Sequence, residues 1–369
     1  MLTAEKVLEG RRLEAGQFSF HLFDENNQPV GEQVTNDVSG SIQFPALRYS
    51  QDDFNGIEPD ETTGARTKTV TYTAREVAGS AAGYTYSQNV ATYTLELVDS
   101  HDGKITATLK EAVNTTFTNN YEAQPVTAKS FSATKALEGR GLAEGEFEFQ
   151  LTAAEGTPMP QATTATNAAD GTVAFSPITY HLGDLAGETS KTFTYTISEV
   201  ANGKAGVTYD QTKHTASVTV TDNGDGTLSP EVTYPVGSNS LAFQNTYDTD
   251  SVGVEFRGAK WLSLEDEALG LTIADIADKY EFKIEAVTPG APMPDARVAK
   301  NGPAGNVTFG NATYTLADAG KTFTYKVTET GSVAGVANDA AAQSGKTFTV
   351  TIADNGDGTL KATTNPADG

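Results

Sequence analysis

The chain repeats itself at a period the size of a domain, and this limits its possible folds more than any other property. Ala4-Glu5-Lys6-Val7-Leu8-Glu9-Gly10-Arg11 returns as Ala133-Thr134-Lys135-Ala136-Leu137-Glu138-Gly139-Arg140. An aromatic pair begins twelve residues after each lysine, Phe18/Phe20 and then Phe147/Phe149. Gly40-Ser41-Ile42-Gln43-Phe44 matches Gly171-Thr172-Val173-Ala174-Phe175, and Val70-Thr71-Tyr72-Thr73-Ala74-Arg75-Glu76 matches Phe193-Thr194-Tyr195-Thr196-Ile197-Ser198-Glu199. The two units close on Phe117-Thr118-Asn119-Asn120-Tyr121 and Phe243-Gln244-Asn245-Thr246-Tyr247. A weaker third copy opens at Gly258-Ala259-Lys260-Trp261 and runs through Tyr280/Phe282, Gly305-Asn306-Val307-Thr308-Phe309 and Phe323-Thr324-Tyr325-Lys326-Val327-Thr328-Glu329. The lysines are 129 and 125 residues apart, far beyond the period of a solenoid repeat. The expected units are 1–123, 124–249 and 250–369. In the third, the lysine-to-aromatic spacing is twenty, and residues 271–278 predict a short helical insert. The junctions at 122–125 and 248–251 are short, so neighbours should stack end to end with limited swing.

Within each unit apolar residues alternate with polar ones, as in Ser217-Val218-Thr219-Val220-Thr221. That is the period of half-buried antiparallel strands. Turn clusters such as Asp102-Gly103, Asp222-Asn223-Gly224-Asp225-Gly226 and Asp354-Asn355-Gly356-Asp357-Gly358 punctuate them. The expected fold is all-β: tandem Ig-like, Greek-key β-sandwiches in an elongated rod. With no cysteine in the chain, whatever staples these sandwiches is not sulfur. A net charge of −23 leaves no basic stripe for nucleic acid. No apolar run is long enough for a membrane helix, and the N-terminus lacks a basic and apolar leader, so the chain reads as a mature fragment. His21, His101, His181 and His214 recur at no common position. Neither hydrolase motifs nor metal-ligand clusters are evident, and neither an enzyme acting on external substrate nor a metal or other cofactor is expected. The acidic turns miss the order of a calcium loop and read as hairpins.

The residues that break the alternation carry the chemistry. Asn245 shares a strand face with Phe243 and Tyr247, and Asn119 shares one with Phe117 and Tyr121. Glu199 lies on the face of Phe193, Tyr195 and Ile197, as Glu76 lies on that of Val70, Tyr72 and Ala74. Lys6 and Lys135 point inward from the opening strands. Buried Lys, Glu and Asn are costly unless they meet. Two readings follow: a buried ion pair with a hydrogen-bonded Asn, or amide exchange. In the second, desolvation favours neutral amine and neutral acid. The amine attacks the Asn carboxamide while the Glu moves a proton to the departing ammonia.

These motifs resemble the streptococcal-type backbone-pilin (FctA-like) isopeptide-linkage domain of Gram-positive pili and surface adhesins. The resemblance rests on Lys-x-Leu-Glu-Gly-Arg, Tyr-x-x-x-Glu and Phe-x-Asn-x-Tyr, in order and repeated. It implies that Lys6 and Lys135 are amine donors, Glu76 and Glu199 catalytic acids, and Asn119 and Asn245 acyl donors of intramolecular bonds. It further implies a structural stalk or shaft on an extracellular, cell-wall-attached surface, with signal and anchor outside this fragment and neighbouring domains of the same protein as partners. The alternative is an adhesin module that contacts a host glycan or matrix protein; against a carbohydrate platform, Trp261 is the only tryptophan and is expected in the core beside Lys260. No Tyr-Pro-Lys pilin motif or Leu-Pro-x-Thr-Gly sorting signal is present. The third unit departs from the pattern. Lys6 to Asn119 is 113 residues and Lys135 to Asn245 is 110, which puts the partner of Lys260 beyond Gly369. Asn365 comes too early and Pro366 suits a strand poorly. Lys260 and Glu329 are therefore expected to lack their Asn.

Overall fold

The structure, a computed structural model, describes residues 1–235, 240–263 and 270–366. Nearly all of its regular structure is β, arranged as three β-sandwiches, each around its own apolar cluster.

In the first sandwich a five-stranded antiparallel sheet contains Arg66–Glu76 at its centre, flanked by Ser19–Phe23 and Val90–Asp99. The opposing sheet contains the opening strand Thr3–Glu9 and the closing strand Thr116–Tyr121, side by side and parallel. Lys6 pairs with Phe117 and Leu8 with Asn119. The second sandwich repeats this arrangement. Ser190–Glu199 lies central in one sheet, while the opening strand Ser132–Glu138 runs parallel to the closing strand Leu241–Tyr247 in the other. Strict alternation drives this packing: Leu241, Phe243, Asn245 and Tyr247 are all buried, and the residues between them are exposed.

One glycine in each unit is required where it stands. Gly40, Gly171 and Gly305 have φ of +90°, +85° and +82°, and a Cβ there would lie 2.2–2.3 Å from the carbonyl oxygen of Lys6, Lys135 or Lys260. Only glycine fits that approach. Its own carbonyl accepts the lysine N–H at 2.7 Å in all three units, which fixes the backbone beneath the buried amine.

The third sandwich keeps the five-stranded sheet, centred on Thr322–Gly331. Its other sheet is reduced to the opening strand Val252–Ala259 and Asn306–Tyr314. Among the described residues the opening strand has no parallel neighbour, and it ends one residue before Lys260. Its counterparts run three residues past Lys6 and Lys135. The final strand, Leu360–Asn365, is an outer strand of the five-stranded sheet against Lys346–Asp354. Asn365 pairs there with Thr349, away from the closing-strand slot.

Two expectations are corrected. Residues 271–278 form a run of turns instead of a helix; successive three-residue hydrogen bonds from Asp275, Ala277 and Lys279 fold the segment, and Ile276 anchors it in the core. Trp261 is 83% exposed. It lies just past the end of the opening strand, next to the buried Lys260.

The junctions place linker backbone on the next unit. Gln124 N–H donates to the Gly226 carbonyl and Asp250 N–H to the Gly358 carbonyl, both at 2.9 Å. The Asp-Asn-Gly-Asp-Gly turns are hairpins, as expected, and they also form the docking face for the preceding sandwich.

Candidate functional site

Each of the first two cores holds a lysine, a glutamate and an asparagine brought from three strands. Lys6 lies on the opening strand, Glu76 ends the central strand of the facing sheet, and Asn119 lies on the closing strand. Lys6 Nζ donates to Glu76 Oε2 at 2.8 Å, and Asn119 Nδ2 donates to Glu76 Oε1 at 2.6 Å. In the second core the matching distances are 2.7 Å from Lys135 to Glu199 and 2.7 Å from Asn245 to Glu199. The side chains of both Lys–Glu pairs are fully buried. One carboxylate therefore touches the amine with one oxygen and the carboxamide nitrogen with the other.

Burial lowers the pKa of Lys6 and Lys135, against the opposing pull of the hydrogen-bonded glutamates. That raises the share of neutral amine, the nucleophilic form. Aromatic rings close over each nitrogen: Phe18 at 4.4 Å from Lys6 Nζ and Phe147 at 4.7 Å from Lys135 Nζ. The closing strand adds its own ring beneath, with Phe117 5.1 Å from Phe20 and Phe243 5.0 Å from Phe149. The alternation had placed these residues inward, and the structure brings all six polar ones together as two triads.

Two groups were not anticipated. The Asn119 carboxamide oxygen accepts the backbone N–H of Ser87 at 2.7 Å, and that of Asn245 accepts the N–H of Asp210 at 2.8 Å. A donor there polarises the carbonyl and stabilises negative charge that develops on it during nucleophilic attack. A backbone donor leaves no residue signature, although Tyr86-Ser87-Gln88 and Tyr209-Asp210-Gln211 do recur. The second group is a buried asparagine in each unit, Asn36, Asn167 and Asn301, which accepts the N–H of Phe18, Phe147 or Tyr280. It braces the aromatic that covers the lysine. Its signal was a polar residue recurring ahead of the Gly40, Gly171 and Gly305 motifs.

The third unit holds half of this site. Lys260 Nζ donates to Glu329 Oε1 at 2.6 Å, and among the described residues no asparagine is hydrogen-bonded to this pair. Tyr280 lies 4.0 Å from Lys260 Nζ, in the place of Phe18 and Phe147. Beside this pair is a cleft of about 360 Å³ bounded by Phe256, Phe282, Val327, Ala342, Phe348 and Pro366.

The family model for FctA, a Spy0128-like isopeptide containing domain, matches the chain three times, over residues 2–122, 131–248 and 258–368. No curated protein sequence matches. Among solved structures, the chain is similar to the T-13 major pilin protein of Streptococcus pyogenes at 18% identity, covering 56% of this chain and 83% of that one with a TM-score of 0.24. It is also similar to a second S. pyogenes major pilin at 13% identity, covering 67% and 98% with a TM-score of 0.23. The major pilin subunit BcpA of Bacillus cereus, in a D312A form, aligns at 12% identity over 89% and 87% with a TM-score of 0.19. The family assignment rests on the family model, which matches nearly the whole chain.

Proposed function

Because this chain belongs to the FctA family of Spy0128-like isopeptide-containing domains, we propose that it is a stalk or shaft segment of a Gram-positive surface protein, locked by autocatalytic Lys–Asn bonds. The bonds join Lys6 to Asn119 and Lys135 to Asn245, with Glu76 and Glu199 as proton shuttles. The units are 1–123, 124–249 and 250–369; among the described residues of the last, no Asn-bearing strand lies beside the opening strand. The observation that carries this reading is the glutamate held between amine and carboxamide in both complete cores.

The chemistry is one turnover per domain. The neutral lysine nitrogen attacks the asparagine Cγ, whose oxygen rests on the Ser87 or Asp210 N–H. Glutamate accepts a proton from the attacking nitrogen and delivers one to the departing nitrogen, which leaves as ammonia. The fold supplies proximity in place of a second reactant. The product is a secondary amide between the first and last strands of the sandwich, and no external substrate is consumed.

The place of the bond gives its use. Parallel terminal strands bring the chain in at one pole and out at the other, so tension crosses the bonded pair directly. A cell-wall-attached stalk on the outer surface of a bacterium needs that property, and neighbouring domains of the same protein are its immediate partners. The mass of the intact chain tests the reading: it should fall below the sequence mass by two ammonia. An unreduced mass would overturn it.

A further inference from the structure

We propose that one side chain, at position 17 in the first unit and 146 in the second, decides whether a sandwich is locked to the one that follows it. Gln17 sends Arg11 across the first junction to Asp222. Glu146 holds Arg140 within its own unit and leaves the second junction a hinge.

The two side chains occupy one place. Gln17 follows Arg11 by six residues, as Glu146 follows Arg140. Each accepts the backbone N–H of the residue three before it, Glu14 on Gln17 Oε1 and Ala143 on Glu146 Oε2, both at 3.0 Å. What remains on each is opposite in kind. Glu146 has a second carboxylate oxygen and takes Arg140 in a forked pair, Nη1 on Oε2 at 3.2 Å and Nη2 on Oε1. Gln17 has an amide NH₂, a donor that accepts nothing from a guanidinium. It donates to the Tyr84 hydroxyl at 3.1 Å, and that hydroxyl also accepts from Arg11 Nη1 at 3.4 Å. Arg11 Nε is left facing the next unit, 3.3 Å from Asp222 Oδ2.

The second junction has the same groups with the arginine withheld. Asp354, the counterpart of Asp222, accepts the Tyr247 hydroxyl and the Gly356 N–H on Oδ1, and among the described residues it forms no ion pair. Glu146 is the chief influence raising the Arg140 pKa, and Asp354 is a lesser one of the same sign. The carboxylate is thus within electrostatic reach of a guanidinium that it does not bind. The turn glycines record the difference. A Cβ on Gly224 would lie 2.6 Å from Arg11 Nη1, and one on Gly356 would meet nothing within 4 Å. Val207, in the register place of Tyr84, offers Arg140 no hydroxyl, so a released Arg140 has Asp354 to turn to. Both junctions share the tyrosine and linker hydrogen bonds. The arginine is a further tie, from beyond the opening strand, and it resists a rotation that the others allow. The first two units therefore move as one rod, and the third swings on the second.

Hydrogen exchange of the full chain reads both junctions at once, at Gln124 N–H on Gly226 and Asp250 N–H on Gly358. Glu146→Gln should release Arg140 to Asp354 and raise protection at Asp250 by about two- to five-fold, the size of a partly exposed ion pair. Adding Arg140→Met should abolish that gain. Gln17→Glu should recapture Arg11 and lower protection at Gln124 by a similar factor, and Arg11→Met, which adds no charge, should do the same. Each change should leave the other junction and the strands Arg66–Glu76 and Ser190–Glu199 as they are. No gain in Glu146→Gln, or a gain that survives Arg140→Met, would overturn the switch at the second junction. Unchanged protection of Gln124 in both Gln17→Glu and Arg11→Met would overturn it at the first.

Discussion

The Tyr121 hydroxyl donates a 2.5 Å hydrogen bond to Asp222 Oδ1, joining the closing strand of the first sandwich to a hairpin turn of the second. Gly226 N–H donates back to the same hydroxyl, and the Arg11 guanidinium approaches Asp222 Oδ2 at 3.3 Å. The next junction repeats it, with Tyr247 on Asp354 at 2.7 Å and Gly358 N–H on Tyr247. Burial, helped by Asp222, pushes the Tyr121 phenol up to about 12, so it remains a donor throughout the neutral range. The Phe-x-Asn-x-Tyr strand therefore has two duties: its asparagine serves the core and its tyrosine ties the pole to the following unit.

Tyr121→Phe keeps the ring and removes the bond. A hydrogen bond to a charged group contributes about 1.5–3 kcal/mol, so the junction should loosen while both sandwiches stay folded. Amide hydrogen exchange should accelerate at Gln124 and Gly226 and stay unchanged in strands Arg66–Glu76 and Ser190–Glu199. Unaltered exchange at both linker amides would mean that the hydroxyl does not hold the junction.

Asn245→Ala and Glu199→Ala should both restore one ammonia to the intact mass, yet differ in stability. Losing the bond reopens a loop of 110 residues, a loss of about 4–5 kcal/mol by the loop-entropy argument. Asn245→Ala leaves Lys135 on Glu199. Glu199→Ala also strands a buried lysine, which adds roughly 3–5 kcal/mol before relaxation. Thermal unfolding should rank wild type above Asn245→Ala and that above Glu199→Ala. Equal midpoints for wild type and Asn245→Ala would refute the cross-link.

Much of the site was legible because a strand has a period of two. That rule alone placed Lys6, Glu76 and Asn119 inward, and the structure finds all three buried. It did not reach Trp261, which lies past the last residue of its strand and faces solvent although its size suggested the core. Ser87 and Asp210 act through backbone N–H groups, which any residue supplies, and Asn36, Asn167 and Asn301 lie off the long alternating strands. The run of turns near Ile276 mimics a helix because isolated three-residue turns place apolar residues at a similar spacing. The junction chemistry was hidden because an aromatic closing a strand reads as core, and an acidic glycine-rich turn reads as solvent-exposed.

Stability of an Asn119→Ala variant should depend on alkaline pH in a way that wild type does not. Without its acyl donor, Lys6 remains a buried amine, its pKa lowered from 10.5 chiefly by desolvation. Between that lowered value and 10.5 the unfolded chain binds more protons than the folded one. Stability therefore rises with pH across this window and is lost as pH falls through it. In the bonded protein the same nitrogen is an amide and does not titrate. Urea unfolding at several pH values up to about 10 should show the two curves converging as pH rises. Parallel curves would place a titrating Lys6 in both proteins or in neither.

Under axial force the first two units should not extend. Opening and closing strands lie parallel and adjacent, Thr3–Glu9 on Thr116–Tyr121 and Ser132–Glu138 on Leu241–Tyr247, so a pull shears the pair that the bond bridges. The third unit, whose opening strand has no parallel neighbour among the described residues, should supply the single unfolding step of the wild-type chain. Asn245→Ala should add a second step. The 110 residues from Lys135 to Asn245 then contribute about 36–40 nm of extended chain at roughly 3.3–3.6 Å per residue. Single-molecule force spectroscopy reads both quantities directly. Three steps in the wild type would mean that no bond bears the load, whereas one step becoming two on a single Asn→Ala change assigns the load to the Lys135–Asn245 pair.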